Sequence, residues 1–395
     1  MNFNIDFYKQ ALEIEDEIVA IRRDFHEHPE LGFEEVRTSE KIKEFLKKEG
    51  IPYKEVSKTG ICAIIKGIEH GKTVALRGDM DALPLEDKKD VSYKSKIQGK
   101  MHGCGHDAHS AILMGAAKLL NKNKDKFKGN VKFLFEPAEE TVGGARYMIK
   151  EGVLENPNVD AIFGLHVAEQ IEVGKIGIKY GVFNAASNPF TIKIKGKGGH
   201  GAHPEDTIDP IIIASQVILS LQTIISREIP PVYPGVITVG AIHGGTAQNI
   251  IPSEVEIKGI MRTLTSEHRE LVKNRLVEIT EGICTAMRGK CEIDIEESYP
   301  CLYNNDHMVN HLKLSAEKII GNNNIEILQH PSMGVESFAY FSNERPSAFY
   351  FLGVKNKERG IVNPAHGCLF DIDEKSLALG ISIQCEAAFQ YLTRN

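Results

Sequence analysis

Strand-like and helix-like segments alternate in the N-terminal part of the chain, and this alternation most constrains the fold. Residues 5–28 and 35–49 carry apolar side chains at helical spacing. The strand-like segments that follow are short and apolar, with helix-like segments or turns between them: ICAIIKGI, KTVALRGDMDALP, VKFLFEPAEE and VDAIFGLHV. Because parallel strands need crossover helices, which cover both faces of the sheet, this rhythm predicts an α/β fold with a mostly parallel sheet.

Acidic residues and one histidine stand where three of these strands run out. In open α/β sheets the ligand site lies beyond the carboxyl ends of the strands. We therefore expect one rim of the sheet to carry the polar residues that follow KTVALRG, VKFLF and DAIFGL, namely Asp79, Asp81, Glu136, Glu139, Glu140 and His166.

The segment MHGCGHDAHS, residues 101–110, has an unusual density of side chains that can bind a metal ion. They are His102, Cys104, His106, Asp107 and His109. Thiolate and imidazole are the natural donors for zinc-like ions, and the glycines allow the chain to bend sharply. The alternative is a glycine-rich turn with surface histidines. A metal-dependent enzyme is the leading hypothesis, with further ligands supplied from elsewhere in the chain.

The pattern changes near residue 184. Residues 184–300 read in the order βαββαβ, which is typical of ferredoxin-like domains. After residue 300 the helix-like and strand-like segments resume, ending with the strand SAFYFLGV and the loop NPAHGCLFDID. We therefore predict a catalytic domain made of residues 1–183 and 301–395, with a smaller α+β domain, residues 184–300, inserted into it.

Composition excludes several classes of protein. The chain has 395 residues, 54 acidic against 47 basic residues and a net charge of −7. It carries no basic stripe of the kind that nucleic-acid binding requires. It has neither an N-terminal apolar signal region nor a run approaching about 18 apolar residues, so no membrane span is expected and a cytoplasmic location is the default. The seven scattered cysteines predict reduced thiols, and the absence of a CxxC pair argues against a thiol redox protein.

Eight motifs in chain order give the sequence a specific resemblance. They are RRDFHEHPELGFEE, LRGDMDALP, MHGCGHDAHS, FEPAEE, GLHV, GKGGHGAHP, TAQNIIP and NPAHG. Together they resemble the dinuclear-metal amidohydrolases of the aminoacylase, hippurate hydrolase and auxin-conjugate (IAA-amino acid) hydrolase type. The resemblance covers nearly the whole chain.

The resemblance implies that five residues bind two divalent metal ions: Cys104, His106, Glu140, His166 and His366. One thiolate, three imidazoles and one carboxylate suit manganese or zinc, and also cobalt or nickel. Taken alone, His166 would be interpreted as a core histidine after a strand, and His366 as a loop histidine. Metal identity stays open.

The resemblance also implies catalytic roles for two acidic residues. Glu139 would be the general base, which takes a proton from the attacking water and passes it to the leaving amine. Asp81 would support the metal cluster and orient Glu139. Asp79 stands where the wider superfamily has a histidine ligand, so its role stays open, and His106 would replace the lost ligand. Without the resemblance, the acidic pairs could simply cap a strand exit or open a loop.

In relatives, a histidine at the position of His200 reaches across a dimer interface to polarise the scissile carbonyl in the partner's site. His203 is the competing candidate. Asn249 and Arg262 match positions that hold the free carboxylate of the substrate, which suits the bidentate fork of arginine. Without the resemblance, Arg262 would be interpreted as a surface charge.

Four other histidines have no assigned role. His102 and His109 could donate hydrogen bonds that orient the metal ligands, but a loop or helix-start role is equally compatible with their positions. His26 and His28 lie in the N-terminal helical region and are interpreted as structural.

These residues predict a cytoplasmic, metal-dependent amidohydrolase that cleaves an N-acyl amino acid, of N-acetyl or N-benzoyl type, into a carboxylic acid and a free amino acid. The inserted domain would serve as a lid and form a homodimer or tetramer. Within the same class, a dipeptidase, a carboxypeptidase or an N-acetyldiaminopimelate deacetylase fits equally. A non-catalytic metal-binding dimer is the alternative from another class, but metal binding alone would not require Glu139 beside Glu140.

Overall fold

The computed structural model describes residues 5–393. Its helices are α1 (Phe7–Glu13), α2 (Glu15–Glu27), α3 (Val36–Lys48), α4 (His106–Lys122), α5 (Glu139–Val142), α6 (Gly144–Lys150), α7 (Pro210–Thr223), α8 (Ser266–Ala286), α9 (Asp306–Ile320), α10 (Phe338–Glu344) and α11 (Lys375–Thr393). Its strands are β1 (Tyr53–Val56), β2 (Gly60–Lys66), β3 (Thr73–Asp79), β4 (Asn130–Glu136), β5 (Ala161–Glu172), β6 (Ile176–Ile178), β7 (Gly181–Asn184), β8 (Ala186–Lys195), β9 (Gly199–His200), β10 (Gly235–Gly244), β11 (Ile250–Ile251), β12 (Glu254–Thr263), β13 (Lys290–Ile295), β14 (Leu302–Asn304), β15 (Ile325–Ile327) and β16 (Ser347–Lys355).

The described chain separates into two compact units. The first comprises the residues up to Phe183, Tyr303–His330 and the residues from Glu336 onward. The second comprises Asn184–Leu302 and Pro331–Val335. The second junction thus lies two residues after the predicted one at 300/301, and the short segment Pro331–Val335 was not expected to group with the second unit.

An eight-stranded sheet forms the centre of the first unit, in the order β1-β2-β4-β3-β5-β16-β6-β15. Its central strands β4, β3, β5 and β16 are parallel, whereas β1, β2 and β6 add antiparallel pairs. Every residue of β3 is buried, as expected for a strand covered on both faces. The predicted α/β class with a parallel-containing sheet is confirmed.

Helices α4 and α11 pack on each other and on β3. Both are almost wholly buried, which is typical of helices inside a large core. Their close approach needs a small residue, because a Cβ on Gly115 would lie 2.5 Å from Cδ1 of Ile381. This packing holds the start of α4 at the edge of the sheet.

Two element boundaries differ from the predictions, and both concern candidate ligands. Helix α4 begins at His106, inside the glycine-rich segment that was expected to be a loop. Strand β5 was expected to run out near His166, within VDAIFGLHV, but it continues to Glu172 because its pairing with β16 extends that far. His166 therefore lies within a strand, and His106 and His109 lie one turn apart on a helix.

The second unit has a four-stranded antiparallel sheet in the order β10-β12-β8-β13. Its elements follow the chain order β8-α7-β10-β12-α8-β13. Helices α7 and α8 pack against each other and share one apolar core with the sheet.

One helix among the described residues, Pro210–Glu228, has the length and composition of a membrane span, with a mean hydropathy of 1.4. Polar side chains interrupt it, among them Gln216, Ser220 and Gln222, so it is not an unbroken run of about 18 apolar residues. Ile213, Val217 and Leu221 of this helix are buried in the apolar core of the second unit. One face of the helix thus packs in the core, and 33% of the apolar window is buried. All seven cysteines are free thiols, as their scattered spacing predicted.

Candidate metal centre

The candidate donors meet at the carboxyl end of the central parallel strands. Asp79 is the last residue of β3 and pairs in register with Glu136, the last residue of β4. Glu139 and Glu140 open α5 directly after β4. Because β3, β4 and β5 run parallel, their ends deliver these side chains to one edge of the sheet, as expected for α/β folds.

A glycine in the left-handed conformation places the donors at the start of α4. Gly105 precedes the helix with φ 90° and ψ 15°. A Cβ at this position would lie 2.3 Å from Cγ2 of Val167, so the close packing of α4 on β5 also requires glycine. The N–H of His366 donates to the carbonyl of Gly103 at 2.8 Å, which ties the NPAHG loop to the same segment.

The structure brings the five predicted ligands into overlapping groups whose donor atoms lie within 4.8 Å of one another. One group is Cys104, His106 and His166, and another is Cys104, Glu140 and His366. The Sγ of Cys104 lies 3.2 Å from Nε2 of His166, and Oε1 of Glu140 lies 3.4 Å from Nε2 of His366. Cys104 is common to both groups.

Two buried donor atoms at this centre lack a hydrogen-bond partner within the described part of the chain. They are Nε2 of His106 and Oε1 of Glu140, 3.8 Å apart. Leaving a buried polar atom unsatisfied is costly, and a cation between them would satisfy both. Although burial opposes a charge on His106, the carboxylate of Asp79 raises its pKa well above the usual value. Surroundings that favour a proton on this ring also favour a metal ion, so the residues fit a metal site.

Asp81 holds three components of the centre together. Its Oδ1 accepts from the N–H of Glu139 at 3.0 Å, and its Oδ2 accepts from the N–H of Glu140 at 3.0 Å. Its Oδ1 also lies 3.2 Å from Nδ1 of His106. Because a carboxylate can only accept, Nδ1 of His106 carries the hydrogen and Nε2 is left for a metal.

The neighbouring residues Glu139 and Glu140 have opposite electrostatic environments. Burial and the nearby carboxylates of Glu336 and Glu140 raise the pKa of Glu139 well above its usual value. Burial alone would also raise the pKa of Glu140, but the nearby imidazole of His366 and the charge of His106 lower it to about 2. Two acids with diverging pKa values suit a division between a proton carrier and an ionised ligand.

Glu139 is held by a segment that the sequence analysis missed. The N–H of Ser337 donates to Oε1 of Glu139 at 2.8 Å. The preceding Glu336 pairs with Arg77 at 2.9 Å, and the Ser337 hydroxyl donates to Glu136. These residues follow neither a strand nor a clustered motif, and only the two adjacent polar side chains in the apolar run GVESFAYF gave a signal.

Asp79, whose role was left open, is fully buried between two cationic or polar partners. Its Oδ2 lies 2.7 Å from an Nη atom of Arg77, and its Oδ1 lies 2.6 Å from Nδ1 of His109. Burial lowers the pKa of His109 to about 4.

His102 and His26 are two further buried histidines, with ring centroids 6.3 Å apart. Both ring nitrogens of His102 are buried and lack a hydrogen-bond partner among residues 5–393, and burial lowers its pKa to about 3. His26 contacts Asp107 at 2.7 Å, and Arg22 donates to the same carboxylate at 2.8 Å. His26 is thus part of a buried charge network that supports α4.

The remaining predicted residues belong to the second unit. His200 lies on β9, which pairs with β11, and the carbonyl of the exposed Asn249 accepts from the N–H of Gly201. Arg262 lies half-buried on β12, one of its Nη atoms has no hydrogen-bond partner in the described range, and burial lowers its pKa. His203 is exposed beside Glu205.

Comparison with known proteins now identifies the family. The family model for "Peptidase family M20/M25/M40" matches residues 75–390, which include all five candidate ligands. The chain belongs to this family. A solved M20 structure, the YXEP protein of Bacillus subtilis, is described as a dinuclear metal binding peptidase; it has a TM-score of 0.84 and 34% identity over 96% of this chain and 99% of its own.

The names of three similar proteins state different activities. Thermostable carboxypeptidase 2 of Saccharolobus solfataricus is 41% identical over 93% of both chains. IAA-amino acid hydrolase ILR1-like 4 of Arabidopsis thaliana is 41% identical, over 95% of this chain and 86% of its own. N-acetyl-L-cysteine deacetylase of Bacillus subtilis is 40% identical, over 97% of this chain and 90% of its own. The relatives therefore share the family but differ in the substrates that their names give.

Proposed function

We propose that this protein is a metal-dependent amidohydrolase that cleaves N-acyl amino acids into a carboxylic acid and a free amino acid. The observation that carries the proposal is the pair Glu139 and Glu140. Both carboxylates lie within donor distance of His106; Glu140 has a lowered pKa, whereas the pKa of the buried Glu139 is raised. The two acids therefore differ in the charge state that their surroundings favour. A metal-storage site needs only Glu140.

Two divalent cations would be held by two sets of donors that have Cys104 in common. Cys104, Glu140 and His366 form one candidate set, and Cys104, His106 and His166 form the other. When bound, such cations supply Lewis acidity that polarises the scissile carbonyl and stabilises negative charge. The donor set suits manganese or zinc, and also cobalt or nickel.

Glu139 carries the proton transfers. Its raised pKa brings the carboxylate closer to the working range of a general base. It takes a proton from the attacking water and gives the same proton to the leaving amine. The N–H of Ser337 fixes Oε1 of Glu139, and Asp81 fixes the backbone of Glu139, so this carboxylate keeps its direction during both transfers.

The second unit would supply the other polar groups as a lid and dimerisation domain of the ferredoxin-like type. Its strand order and its two packed helices support this proposal. His200 of one subunit would polarise the scissile carbonyl in the site of the other, and Asn249 and Arg262 would hold the free carboxylate. The unpartnered Nη atom of Arg262 is available to an acceptor such as a carboxylate.

A carboxypeptidase is the second candidate, since the Saccharolobus relative is named as one. Both activities cleave an amide next to a residue with a free carboxylate, and they differ only in the acyl side. The names of the Arabidopsis and Bacillus relatives favour the N-acyl amino acid.

The test is a substrate panel assayed with metal-free protein. N-acetyl, N-benzoyl and indole-3-acetyl amino acids and N-blocked dipeptides are incubated alone and after adding Mn²⁺, Zn²⁺, Co²⁺ or Ni²⁺. We expect hydrolysis of at least one N-acyl amino acid, abolished by chelation and restored by metal. Hydrolysis confined to dipeptides would favour the carboxypeptidase, and hydrolysis insensitive to chelation would refute the metal mechanism.

A further inference from the structure

His109 is buried next to the metal centre, yet its own ring nitrogens are both occupied. Its Nδ1 lies 2.6 Å from Oδ1 of Asp79, and its Nε2 lies 2.9 Å from the backbone nitrogen of Val167. A backbone N–H can only donate, so Nε2 is the acceptor and Nδ1 carries the hydrogen that is donated to Asp79. His109 therefore has no free nitrogen for a metal, although its atoms lie within reach of His106 and Asp79.

The hydrogen bond to Val167 replaces a missing strand partner. The pairing of β3 with β5 ends at Arg77 and Gly164, so on this side no strand reaches the N–H of Val167. An unsatisfied buried N–H is costly, and His109 is the group that satisfies it.

Val167 is also hydrogen-bonded to the side chain of the candidate ligand His166. The carbonyl of Val167 accepts from Nδ1 of His166 at 2.6 Å, which turns Nε2 of His166 toward Cys104. The rings of His109 and His166 also meet edge to face, with centroids 4.6 Å apart. The direction of the His166 ring thus depends on the backbone that His109 holds.

We infer that His109 is a positioning residue: with Asp79 behind it, it fixes the backbone at Val167 and thereby aims Nε2 of His166 at the metal pair. This inference rests on the proposed metal site, and it assigns roles to two residues that the sequence left open. Asp79 anchors His109.

Two substitutions each remove a different one of the two hydrogen bonds of His109. In His109→Gln, the amide oxygen can reach the former position of Nε2 and accept from Val167. In His109→Asn, the shorter amide can reach only the position of Nδ1, so the contact with Asp79 is kept and the contact with Val167 is lost. His311→Asn is the matched control, because Nε2 of His311 also bonds to backbone, at Ala387, away from the centre.

The probe is Co²⁺, added to the metal-free full-length protein and followed by equilibrium dialysis and by visible absorption, which reports coordination geometry. Groups that orient metal ligands typically contribute about 10- to 100-fold in affinity. We expect His109→Asn to lose affinity by that factor, with an altered spectrum. His109→Gln should lose less than about 10-fold, because it keeps the bond to Val167, and His311→Asn should stay within about threefold of the parent. Hydrogen exchange at Val167 should be faster in metal-free His109→Asn only.

Wild-type affinity and spectrum in folded His109→Asn would overturn the inference. A loss of Co²⁺ affinity of 10-fold or more in His109→Gln would also overturn it. This second result can be obtained even if His109→Asn does not fold. If the parent protein binds Co²⁺ with the predicted dependence on His109 but hydrolyses no N-acyl amino acid, the proposed function fails and the positioning role stands. A parent that binds no Co²⁺ refutes both.

Discussion

At the scale of the residue, one arginine compensates three buried carboxylates under the candidate metal centre. Arg77 is buried and lies 2.7 Å from Asp79, 2.7 Å from Glu136 and 2.9 Å from Glu336. Burial alone would lower the pKa of Arg77, but these carboxylates raise it well above the usual value. The guanidinium thus holds together groups from two strands and from the segment that positions Glu139.

Replacing Arg77 by methionine should strongly destabilise the protein, because three buried carboxylates lose their counter-charge. Breaking a buried ion pair from one side typically costs about 3–5 kcal/mol. Urea unfolding of Arg77→Met, followed by circular dichroism, measures this loss.

The matched control is Lys175→Met, which removes an exposed ion pair with Glu326 at 3.3 Å. Exposed pairs contribute less than about 1 kcal/mol. Equal effects of the two substitutions would contradict the role assigned to Arg77.

The candidate donors are easier to identify from the sequence than the residues that support them. Cys104 and His106 stand out because metal-binding side chains cluster in one segment, and Glu139 and Glu140 stand out because they follow an apolar strand. His366 and Ser337 have no such local signal. Their place at the centre depends on tertiary packing, which brings loops from the last third of the chain to the end of β4.

At the scale of the element, the geometry of the centre depends on where α4 starts. Gly105 and Gly174 both have a positive φ, 90° and 93°, but only Gly105 is crowded. At Gly174 nothing lies within 4 Å of an added Cβ. Comparing an alanine substitution at each glycine therefore distinguishes the cost of the left-handed backbone from the cost of a steric clash.

We predict that Gly105→Ala lowers metal affinity and stability, because its Cβ would push α4 away from Val167 and displace Cys104 and His106. Gly174→Ala should cost only the left-handed strain, about 1–2 kcal/mol, with no change in metal affinity. Thermal unfolding and metal content after dialysis measure both effects. Unchanged metal content in Gly105→Ala would show that the packing of α4 does not set the centre.

Most elements lie where their apolar periodicity predicted them, and the two wrong boundaries have physical causes. Helix α4 starts within the glycine-rich segment because Gly105 can adopt a left-handed conformation directly before it. Strand β5 continues past its polar His166 because β16 supplies ladder partners on one edge. Neither cause is visible in local sequence patterning.

At the scale of the whole molecule, exposed apolar side chains on the second unit suit self-association. Ile212 and Leu219 lie two turns apart on α7 and are 51% and 67% exposed, and Val232 is 80% exposed. Ile212 and Leu219 share one face of the helix, and exposed apolar patches often mark an interface. They support the proposed homodimer.

Light scattering should therefore give a molar mass of twice 43.8 kDa, or a higher multiple if the dimers pair. Leu219→Asp should shift the protein to monomers, because a charge cannot be buried in such an interface without a partner. If His200 acts in the site of the other subunit, hydrolysis should fall together with the mass. A monomeric wild-type protein with full activity would refute the shared site.

The central claim is that this centre hydrolyses amides and does not merely bind metal, and Glu139→Gln tests it most directly. Metal content and kcat are measured on the same samples, with the exposed Glu326→Gln as a control. The proposed mechanism predicts unchanged metal content and a loss of kcat of about 10²- to 10⁴-fold, the usual contribution of a general base. Wild-type kcat in Glu139→Gln would contradict it.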